Sequence, residues 1–389
     1  MSNIEELKKK FREIFKDSNV RIFHSPGRVN LLGEHTDYNG GYVLPAALNV
    51  GTTVCISKRD DKKIVLKATD LDDVVSADID NLLSYRNIRW GNYQLGVAYE
   101  LMKAGYKVGG CNMLFDDAVP HGAGLSSSAA IECATGIALI SMFNPEREID
   151  RVELALLAQK AENQFVGVNC GIMDQFASIM GKKDNAIFLN CRTLEYKYVP
   201  LSLGDYVLVI TNTNKKRSLA DSKYNERRAE CEKGLEFLKK ELPYITCLGE
   251  ITVDIFESIR EVIKDPVVEK RVRHVIYEDD RVLKAIDVLS KGNLSEFGEL
   301  MIESHISLRD LYEVTGIELD TLFEEALKVK GVLGTRMTGA GFGGCTVSIV
   351  HKSAIDDFKR YVGENYRLKT GLTPDFYVME TGEGAREIC

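Results

Sequence analysis

The chain has little of what marks secreted, metal-binding or membrane proteins. Its nine cysteines form no CxxC pair and no finger spacing with the six histidines, so neither a zinc finger nor a disulfide framework is predicted. No segment approaches the ~20 apolar residues that cross a bilayer, and the first residues lack the apolar core of a signal peptide. The expected compartment is the cytosol, where the thiols stay reduced.

An excess of positive charge is also absent, because the net charge is −8. Surfaces that bind nucleic acids or anionic membranes need clustered positive potential, so neither partner is expected. At 389 residues, with 44% hydrophobic and 28% charged residues, the chain has the composition of a soluble globular protein. The length suits about two domains, and a folded enzyme is the default expectation.

No GxxxxGK[ST] loop, Pro/Ser-rich linker or fixed-period repeat occurs in the sequence. Ordinary P-loop NTPases are thereby set aside, so any nucleotide binding must use another scheme. Because no linker marks the domain boundary, we place it near residue 200, which gives domains 1–200 and 201–389.

Local patterns predict a mixture of helices and strands in both halves. The predicted helices are 4–16, 90–104, 126–142, 151–166 and a long one from Ser218; the predicted strands include 20–23, 52–56, 64–66, 111–115, 207–211 and 345–350. Strands followed by segregated helices favour an α+β fold over a doubly wound one.

The stretch PHGAGLSSSAA, residues 120–130, lies between an apolar strand and a helical run. Its glycines let backbone N–H groups approach a ligand, and its serines open a helix whose positive N-terminal end favours phosphate. The alternative is a plain turn in which one serine caps the helix, although three serines exceed what one cap requires.

A second stretch, PGRVNLLGEHTDYNGG at residues 26–41, is rich in polar side chains. Carboxylates and imidazoles bind hydroxyl-rich ligands such as sugars, and Glu34, His35 and Asp37 could supply those hydrogen bonds. The alternative is an exposed polar turn before a strand.

The third stretch, residues 162–176, has acids at both ends of a mostly apolar segment. Partial desolvation there could poise Glu162 or Asp174 as a base or a metal ligand. Alternatively, Asp174 only caps a helix over residues 175–180, and Glu162 faces solvent.

A fourth stretch, GAGFGG at residues 339–344, matches the GxGxxG of dinucleotide-binding folds. The order is wrong for that fold, because these glycines precede a strand instead of following one and opening a helix. We interpret them as close backbone packing beside a nucleotide or sugar site, with a simple strand-entry turn as the alternative. An NAD-linked oxidoreductase is the rival function that the motif suggests.

Together, GRVNLLGEHTDYNGG, PHGAGLSSSAA and RMTGAGFGGC resemble three motifs of the galactokinase branch of the GHMP kinases, in the same order. The resemblance covers most of the chain. It implies a two-domain α+β fold, with a ribosomal S5-like N-terminal domain, a ferredoxin-like C-terminal domain and the active site in the cleft between them. It also implies that ATP and Mg²⁺ are used to phosphorylate galactose at its anomeric O1 hydroxyl, giving galactose 1-phosphate and ADP. A monomer is expected.

The resemblance further implies roles for individual residues. Asp174 would take the sugar proton, with Arg28 beside it holding it charged, and Ser128 and Glu162 would hold Mg²⁺. The residues implied around the ATP phosphates are Gly122, Ala123, Gly124, Leu125, Ser126, Ser127 and Ser128; those implied in the sugar pocket are Glu34, His35, Thr36, Asp37, Gly171 and Tyr224. His121 is assigned no role.

Two rivals share these motifs. One is a non-catalytic sensor that binds galactose and ATP, although the intact GLSSSAA, Glu162 and Asp174 argue against it. The other is a kinase of a related sugar such as N-acetylgalactosamine or arabinose.

Overall fold

The computed structural model describes residues 4–120, 122–215 and 220–389. His121 and Ser218, which appear in the sequence-based predictions, lie outside these ranges. The strands are β1 (Arg21–Asn30), β2 (Tyr42–Val43), β3 (Pro45–Lys58), β4 (Lys63–Ala68), β5 (Val74–Asp78), β6 (Cys111–Asp117), β7 (Asn185–Asn190), β8 (Tyr196–Pro200), β9 (Tyr206–Asn212), β10 (Val332–Thr338), β11 (Cys345–His351), β12 (Asp375–Met379) and β13 (Arg386–Glu387). The α-helices are α1 (Ile4–Phe15), α2 (Asn92–Lys103), α3 (Ser127–Phe143), α4 (Arg151–Lys160), α5 (Met173–Met180), α6 (Ala220–Leu238), α7 (Val253–Ile259), α8 (Pro266–Ser290), α9 (Leu294–Ser307), α10 (Ile317–Ala326) and α11 (Ile355–Thr370).

The first sheet has the strand order β13-β1-β3-β6-β4-β5 and is antiparallel except where β4 runs parallel to β6. Phe23 of β1 lies opposite Val54 of β3, and both contribute to a core with Leu95, Ile137 and Leu154 from α2, α3 and α4. Because the helices cover one face of this sheet, α3 is buried along most of its length. The sheet therefore fixes the N-terminal end of α3, where the predicted phosphate loop ends.

The second sheet has the order β10-β11-β9-β12 and is antiparallel throughout, and a smaller third sheet joins β2, β7 and β8. One apolar core connects the end of β1 with the second sheet: it contains Val29 and Leu31, Leu125 of the predicted phosphate loop, Ile286 of α8 and Val347 of β11. The segment after β1 consequently lies between the two halves of the chain. The α+β prediction is confirmed.

Local sequence signals explain several helix boundaries. Asp150 accepts hydrogen bonds from the first N–H groups of α4, and Asp265 does the same for α8, where Pro266 supplies a helical φ angle at the first position. The predicted helix 151–166 is α-helical only to Lys160. Its last six residues form a π-helical turn that Gly167 ends at φ 93°, and such turns are common at functional sites.

All nine cysteines have free thiols, and five of these thiols are buried. Within the described ranges, no helix is long and apolar enough to cross a membrane.

Candidate active site

A cavity of about 770 Å³ opens where β1, the segment after it, α5, the start of α6 and the β10–β11 turn meet. Its lining brings together eight of the predicted site residues: Arg28, Glu34, His35, Asp37, Glu162, Gly171, Asp174 and Tyr224. These residues come from four separate segments of the chain. The fold therefore brings into one cavity residues that the sequence showed only as separate motifs.

The Arg28 guanidinium and the Asp174 carboxylate form a bidentate ion pair at the cavity wall. Arg28 Nε donates to Asp174 Oδ1 at 2.8 Å, and Nη2 donates to Oδ2 at 2.7 Å. Asp174 also accepts a hydrogen bond from the Ser126 hydroxyl. Ile172, not Asp174, occupies the N-cap position of α5, so the alternative that Asp174 only caps this helix is wrong.

Residues 122–126 precede α3, and Ser127 and Ser128 form its first residues, as predicted for a phosphate loop. Ser126, at the N-cap position, has a left-handed backbone (φ 59°), and its side chain makes no capping hydrogen bond. Its hydroxyl is directed to Asp174, while the Ser127 hydroxyl donates to Asp117 of β6. The plain-cap alternative is therefore wrong, and in the described structure the first turn of α3 keeps backbone N–H groups that no side chain caps. Such groups, with the helix dipole, form an anion site.

Two residues of the predicted phosphate loop have buried side chains. Ala123 and Leu125 pack in the core between the two halves, so only their backbone groups can meet a ligand. Arg28 Nη1 donates to the Gly124 carbonyl at 2.8 Å. The same guanidinium thus joins the loop to the Asp174 carboxylate.

Glu162 lies in the π-helical turn and is only 6% exposed, so the alternative that it faces solvent is wrong. Its carboxylate accepts hydrogen bonds from Gln175 Nε2 at 2.6 Å and from the Cys170 thiol at 3.4 Å, and the Ser128 hydroxyl lies near it. The same Gln175 amide donates to Glu132 of α3 at 3.0 Å. Burial, reinforced by the charge of Asp174, raises the pKa of Glu162 to about 7. A cation beside Ser128 would favour the charged carboxylate.

Asp37 and Gly171 approach each other closely across the cavity. A Cβ atom on Gly171 would overlap the Asp37 carboxylate, so this approach requires glycine. Burial and the neighbouring Asp174 charge raise the pKa of Asp37 to about 7. His35 lies 5.7 Å from Tyr224, ring centre to ring centre. Burial lowers the pKa of His35 to about 3, so its imidazole is neutral at physiological pH.

Thr36 is the predicted sugar-pocket residue that does not line the cavity. Its hydroxyl oxygen lies 2.8 Å from the Gly33 carbonyl and 2.6 Å from the Tyr42 carbonyl, and these two acceptors share its single hydrogen. The side chain is fully buried in the turn after β1. Its contacts therefore stabilise the turn that presents its neighbours, because its only hydroxyl hydrogen is directed to the backbone.

Helix α8 supports this turn from behind. Glu278 accepts a hydrogen bond from the Gly33 N–H at 2.9 Å, and His274 Nε2 donates to the Glu34 carbonyl at 3.1 Å. The partners lie about 240 residues apart in the chain. Buried polar backbone groups of the turn after β1 thus find their hydrogen-bond partners in the other half of the molecule.

The glycine-rich residues 339–344 form the turn between β10 and β11. Because a strand and not a helix follows them, the dinucleotide interpretation is wrong. Gly339 and Ala340 line the cavity, and a Cβ on Gly341 would overlap the Val314 carbonyl. The prediction of close backbone packing is confirmed, and this turn borders the cavity.

Four polar residues of this region were missed by the sequence analysis: Tyr38, Glu132, Gln175 and Arg336. Tyr38 and Arg336 lie inside recognised motifs, so examining every polar residue of each motif would have found them. Tyr38 lines the cavity, and its hydroxyl lies 2.9 Å from His35 Nδ1. Glu132 has no local signal, because an acidic residue in the middle of a helix is usually exposed.

Three family models match the chain. The galactokinase galactose-binding signature matches residues 9–58, the N-terminal domain of the GHMP kinases matches residues 92–182, and their C-terminal domain matches residues 284–368. The first contains Arg28 and the polar turn after β1, and the second contains the phosphate loop, Glu162 and Asp174.

Individual relatives match over the whole length. The galactokinase of Clostridium tetani is 54% identical over 386 residues, covering 99% of this chain and 98% of its own, and that of Bacillus subtilis is 48% identical over 388 residues, covering 99% of each. The crystal structure of Lactococcus lactis galactokinase complexed with galactose superposes with a TM-score of 0.95 at 44% identity, over 99% of this chain and 100% of that one. Methanococcus jannaschii mevalonate kinase, at 19% identity and a TM-score of 0.66 over 93% of this chain and 98% of its own, shares the fold. The chain therefore belongs to the galactokinase branch of the GHMP kinase family.

Proposed function

We propose that this galactokinase transfers the γ-phosphoryl group of ATP to the O1 hydroxyl of galactose beside the Arg28–Asp174 pair. The observation that carries this assignment is the pair itself. Its guanidinium binds both a carboxylate at the cavity wall and the Gly124 carbonyl of the phosphate loop. The sugar acceptor and the terminal phosphate would therefore meet at one place.

Phosphoryl transfer asks a protein mainly for alignment and charge neutralisation. In our proposal Asp174 accepts the O1 proton and orients the oxygen toward phosphorus. Both carboxylate oxygens are already oriented by Arg28 and Ser126. Arg28, lying between the base and the loop, would neutralise charge that develops on the transferring group. The backbone N–H groups of residues 122–128 would bind the phosphates.

We also propose that Ser128 and Glu162 hold Mg²⁺. Their hydroxyl and carboxylate oxygens are ligands that Mg²⁺ prefers, and two protein ligands leave positions for phosphate oxygens and water. The described residues contain no cluster of three His, Cys, Asp or Glu that could hold a metal ion by itself, which suits a cation shared with the nucleotide. When bound, Mg²⁺ neutralises phosphate charge.

For the sugar we propose the polar wall of the cavity that is formed by Glu34, His35, Asp37, Gly171 and Tyr224. The Lactococcus lactis galactokinase was crystallised as a complex with galactose. Carboxylates accept paired hydrogen bonds from neighbouring sugar hydroxyls. A neutral His35 can make one more hydrogen bond through Nε2, because Nδ1 already bonds to Tyr38. The aromatic ring of Tyr224 can pack against the apolar face of a sugar.

The non-catalytic sensor and the kinase of a related sugar are not favoured by the full-length galactokinase relatives. We propose that the protein is cytosolic, because its nine free thiols suit a reducing compartment, and that it is a monomer. Incubation with ATP, Mg²⁺ and a panel of sugars, read by phosphorus NMR, tests the function. Galactose 1-phosphate should be the dominant product; turnover of another sugar at a higher kcat/KM, or of none, would overturn the assignment.

Replacing Asp37 with Ala should weaken galactose binding far more than ATP binding. A carboxylate that accepts sugar hydroxyls contributes roughly 1.5 to 3 kcal/mol, so the galactose KM should rise about tenfold or more. The ATP KM should change by less than about threefold, because Asp37 faces the sugar and not the phosphates. Asp37→Asn, which keeps one acceptor oxygen, should be intermediate. Calorimetry showing unchanged galactose binding and lost ATP binding would assign this turn to the nucleotide.

Glu162→Gln and Ser128→Ala should each raise the Mg²⁺ concentration needed for half-maximal activity. Losing a charged ligand should raise it by about tenfold or more, and losing the hydroxyl by less. Glu153→Gln is the matched control, because Glu153 lies on the preceding helix and binds Tyr106 and Arg147 outside the cavity. Unchanged Mg²⁺ titrations in both site variants would move the metal elsewhere.

A further inference from the structure

Arg336 and Glu34 form an ion pair that is more deeply buried than the Arg28–Asp174 pair, with Glu34 in the sugar wall. Arg336 Nη2 donates to Glu34 Oε2 at 2.8 Å, and the two residues are 0% and 2% exposed. Arg336 belongs to β10 in the second sheet, whereas Glu34 follows β1 of the first sheet. The pair therefore connects the RMTGAGFGGC motif with the galactose-binding signature across 302 residues of chain.

Two further contacts fix the backbone that leads to Glu34. Arg336 Nη1 donates to the Asn30 carbonyl at 2.8 Å, and the Thr338 hydroxyl, two residues along β10, donates to the same oxygen at 3.1 Å. The Asn30 N–H lies 3.2 Å from the Thr338 oxygen. One guanidinium thus orients both the end of β1 and the carboxylate four residues later. Only an arginine has N–H groups at a fixed angle that reach two such acceptors.

Glu34 needs this partner because it lines the cavity from a buried position. Burial raises the pKa of Glu34, and the Arg336 charge acts in the opposite direction. A buried carboxyl without its cation tends to become protonated and to lose its orientation. It would then be a weaker and less directed acceptor for a sugar hydroxyl.

We infer that Arg336 is a positioning residue for galactose recognition, which acts by orienting Glu34 and does not itself touch the sugar or ATP. The inference rests on the proposed role of Glu34 in the sugar pocket. It gives the RMTGAGFGGC motif a second task beyond close backbone packing. The arginine of this motif would then influence the affinity for galactose by orienting Glu34, while the glycines of the motif shape the cavity.

A double-mutant cycle tests this inference, using Arg336→Met, Glu34→Gln and the double variant. Each single change should raise the galactose KM by about tenfold, with the ATP KM within about threefold of wild type. The double variant should be no worse than the poorer single variant, because both changes remove the same interaction. Effects that multiply in the double variant would show that Arg336 acts independently of Glu34 and would overturn the inference.

Arg271→Met is a matched control for loss of a buried guanidinium. Arg271 is 2% exposed and binds Glu230, Glu313 and the Leu311 carbonyl, none of which lines the cavity. It should lower the thermal unfolding midpoint and leave the galactose KM within about twofold of wild type. If the galactose KM rose as much as in Arg336→Met, general loosening of the fold would explain both, and the inference would fail.

Arg336→Lys covers the case in which Arg336→Met does not fold. Lysine keeps the charge but lacks the fork, so the galactose KM should rise by about threefold, with ATP unaffected; an unchanged galactose KM would overturn the inference. Glu34→Gln alone tests the role of Glu34 in the sugar pocket, on which the inference about Arg336 depends. If that variant left the galactose KM unchanged, both the role of Glu34 and the inference about Arg336 would be wrong. The galactokinase reaction itself is tested independently by the turnover of the wild-type chain.

Discussion

Replacing Asp174 with Asn should lower kcat by about 10²- to 10⁴-fold while leaving ATP binding nearly unchanged. The amide keeps the volume of the side chain and one acceptor oxygen for Arg28, but it cannot accept the O1 proton. Coupled detection of ADP gives kcat, and calorimetry with ATP in the absence of sugar gives the binding constant. The loss should appear in kcat, because the proton is transferred only during the reaction.

Asp184→Asn is a matched control for this change. Asp184 lies outside the cavity lining, accepts a hydrogen bond from the Thr381 hydroxyl, and has a left-handed backbone (φ 58°) that asparagine tolerates. Its kcat should stay near the wild-type value. An Asp174→Asn enzyme that kept more than about a tenth of wild-type kcat would show that another group accepts the proton.

The parts of the site that could be predicted from the sequence are those in which chemistry is concentrated in a short stretch. The phosphate loop has small residues and serines at a strand–helix junction, and the turn after β1 places two carboxylates and an imidazole within four residues. The local pattern suggested a functional site in each stretch, but a simple structural role, such as a turn or a helix cap, explained each stretch as well. Only the order of three motifs, through the resemblance to a kinase family, decided between them.

The residues that the sequence did not reveal act over long distances. Arg336 reaches Glu34 from a different sheet, and His274 binds a carbonyl 240 positions away. No periodicity encodes such a contact, because it depends on how β10 and α8 pack against the end of β1. Glu132 reaches the site only because Gln175 bridges it to Glu162. The burial of these side chains and their hydrogen-bond partners can be determined only once the fold is known.

At Thr36 and at the end of helix 151–166, the structure shows details that the sequence pattern did not predict. Motif resemblance assigned Thr36 to the sugar, although its hydroxyl is directed to two backbone carbonyls. Helical spacing predicted a regular helix to residue 166, but the last six residues widen into a π-helical turn that contains Glu162. In both places the sequence pattern predicted the type of local structure correctly, a polar turn and a helix. The direction of the side chains depends on tertiary packing, which the pattern does not contain.

Arg28→Met should lower kcat by about 10²- to 10³-fold, the size expected when a preorganised charge beside a transferring group is removed. Methionine keeps the apolar stem of the side chain in its buried position, where Arg28 is only 4% exposed. The variant loses two hydrogen bonds to Asp174 and one to the Gly124 carbonyl. Base and phosphate loop would no longer be held by a common group. Initial rates at saturating ATP and galactose measure the effect, and thermal unfolding shows whether the variant is folded.

Arg28→Lys and the double variant Arg28→Met with Asp174→Asn separate the charge of Arg28 from its geometry. Lysine keeps the cation but cannot form the bidentate pair, so its kcat should lie between wild type and Arg28→Met. If Arg28 and Asp174 act as one unit, the double variant should be little worse than the poorer single variant. Losses that multiply would mean that Arg28 stabilises the transferring charge independently of Asp174. An Arg28→Met enzyme within about threefold of wild-type kcat would remove Arg28 from the mechanism, because a group that binds both the base and the loop cannot be lost without consequence if the reaction takes place between them.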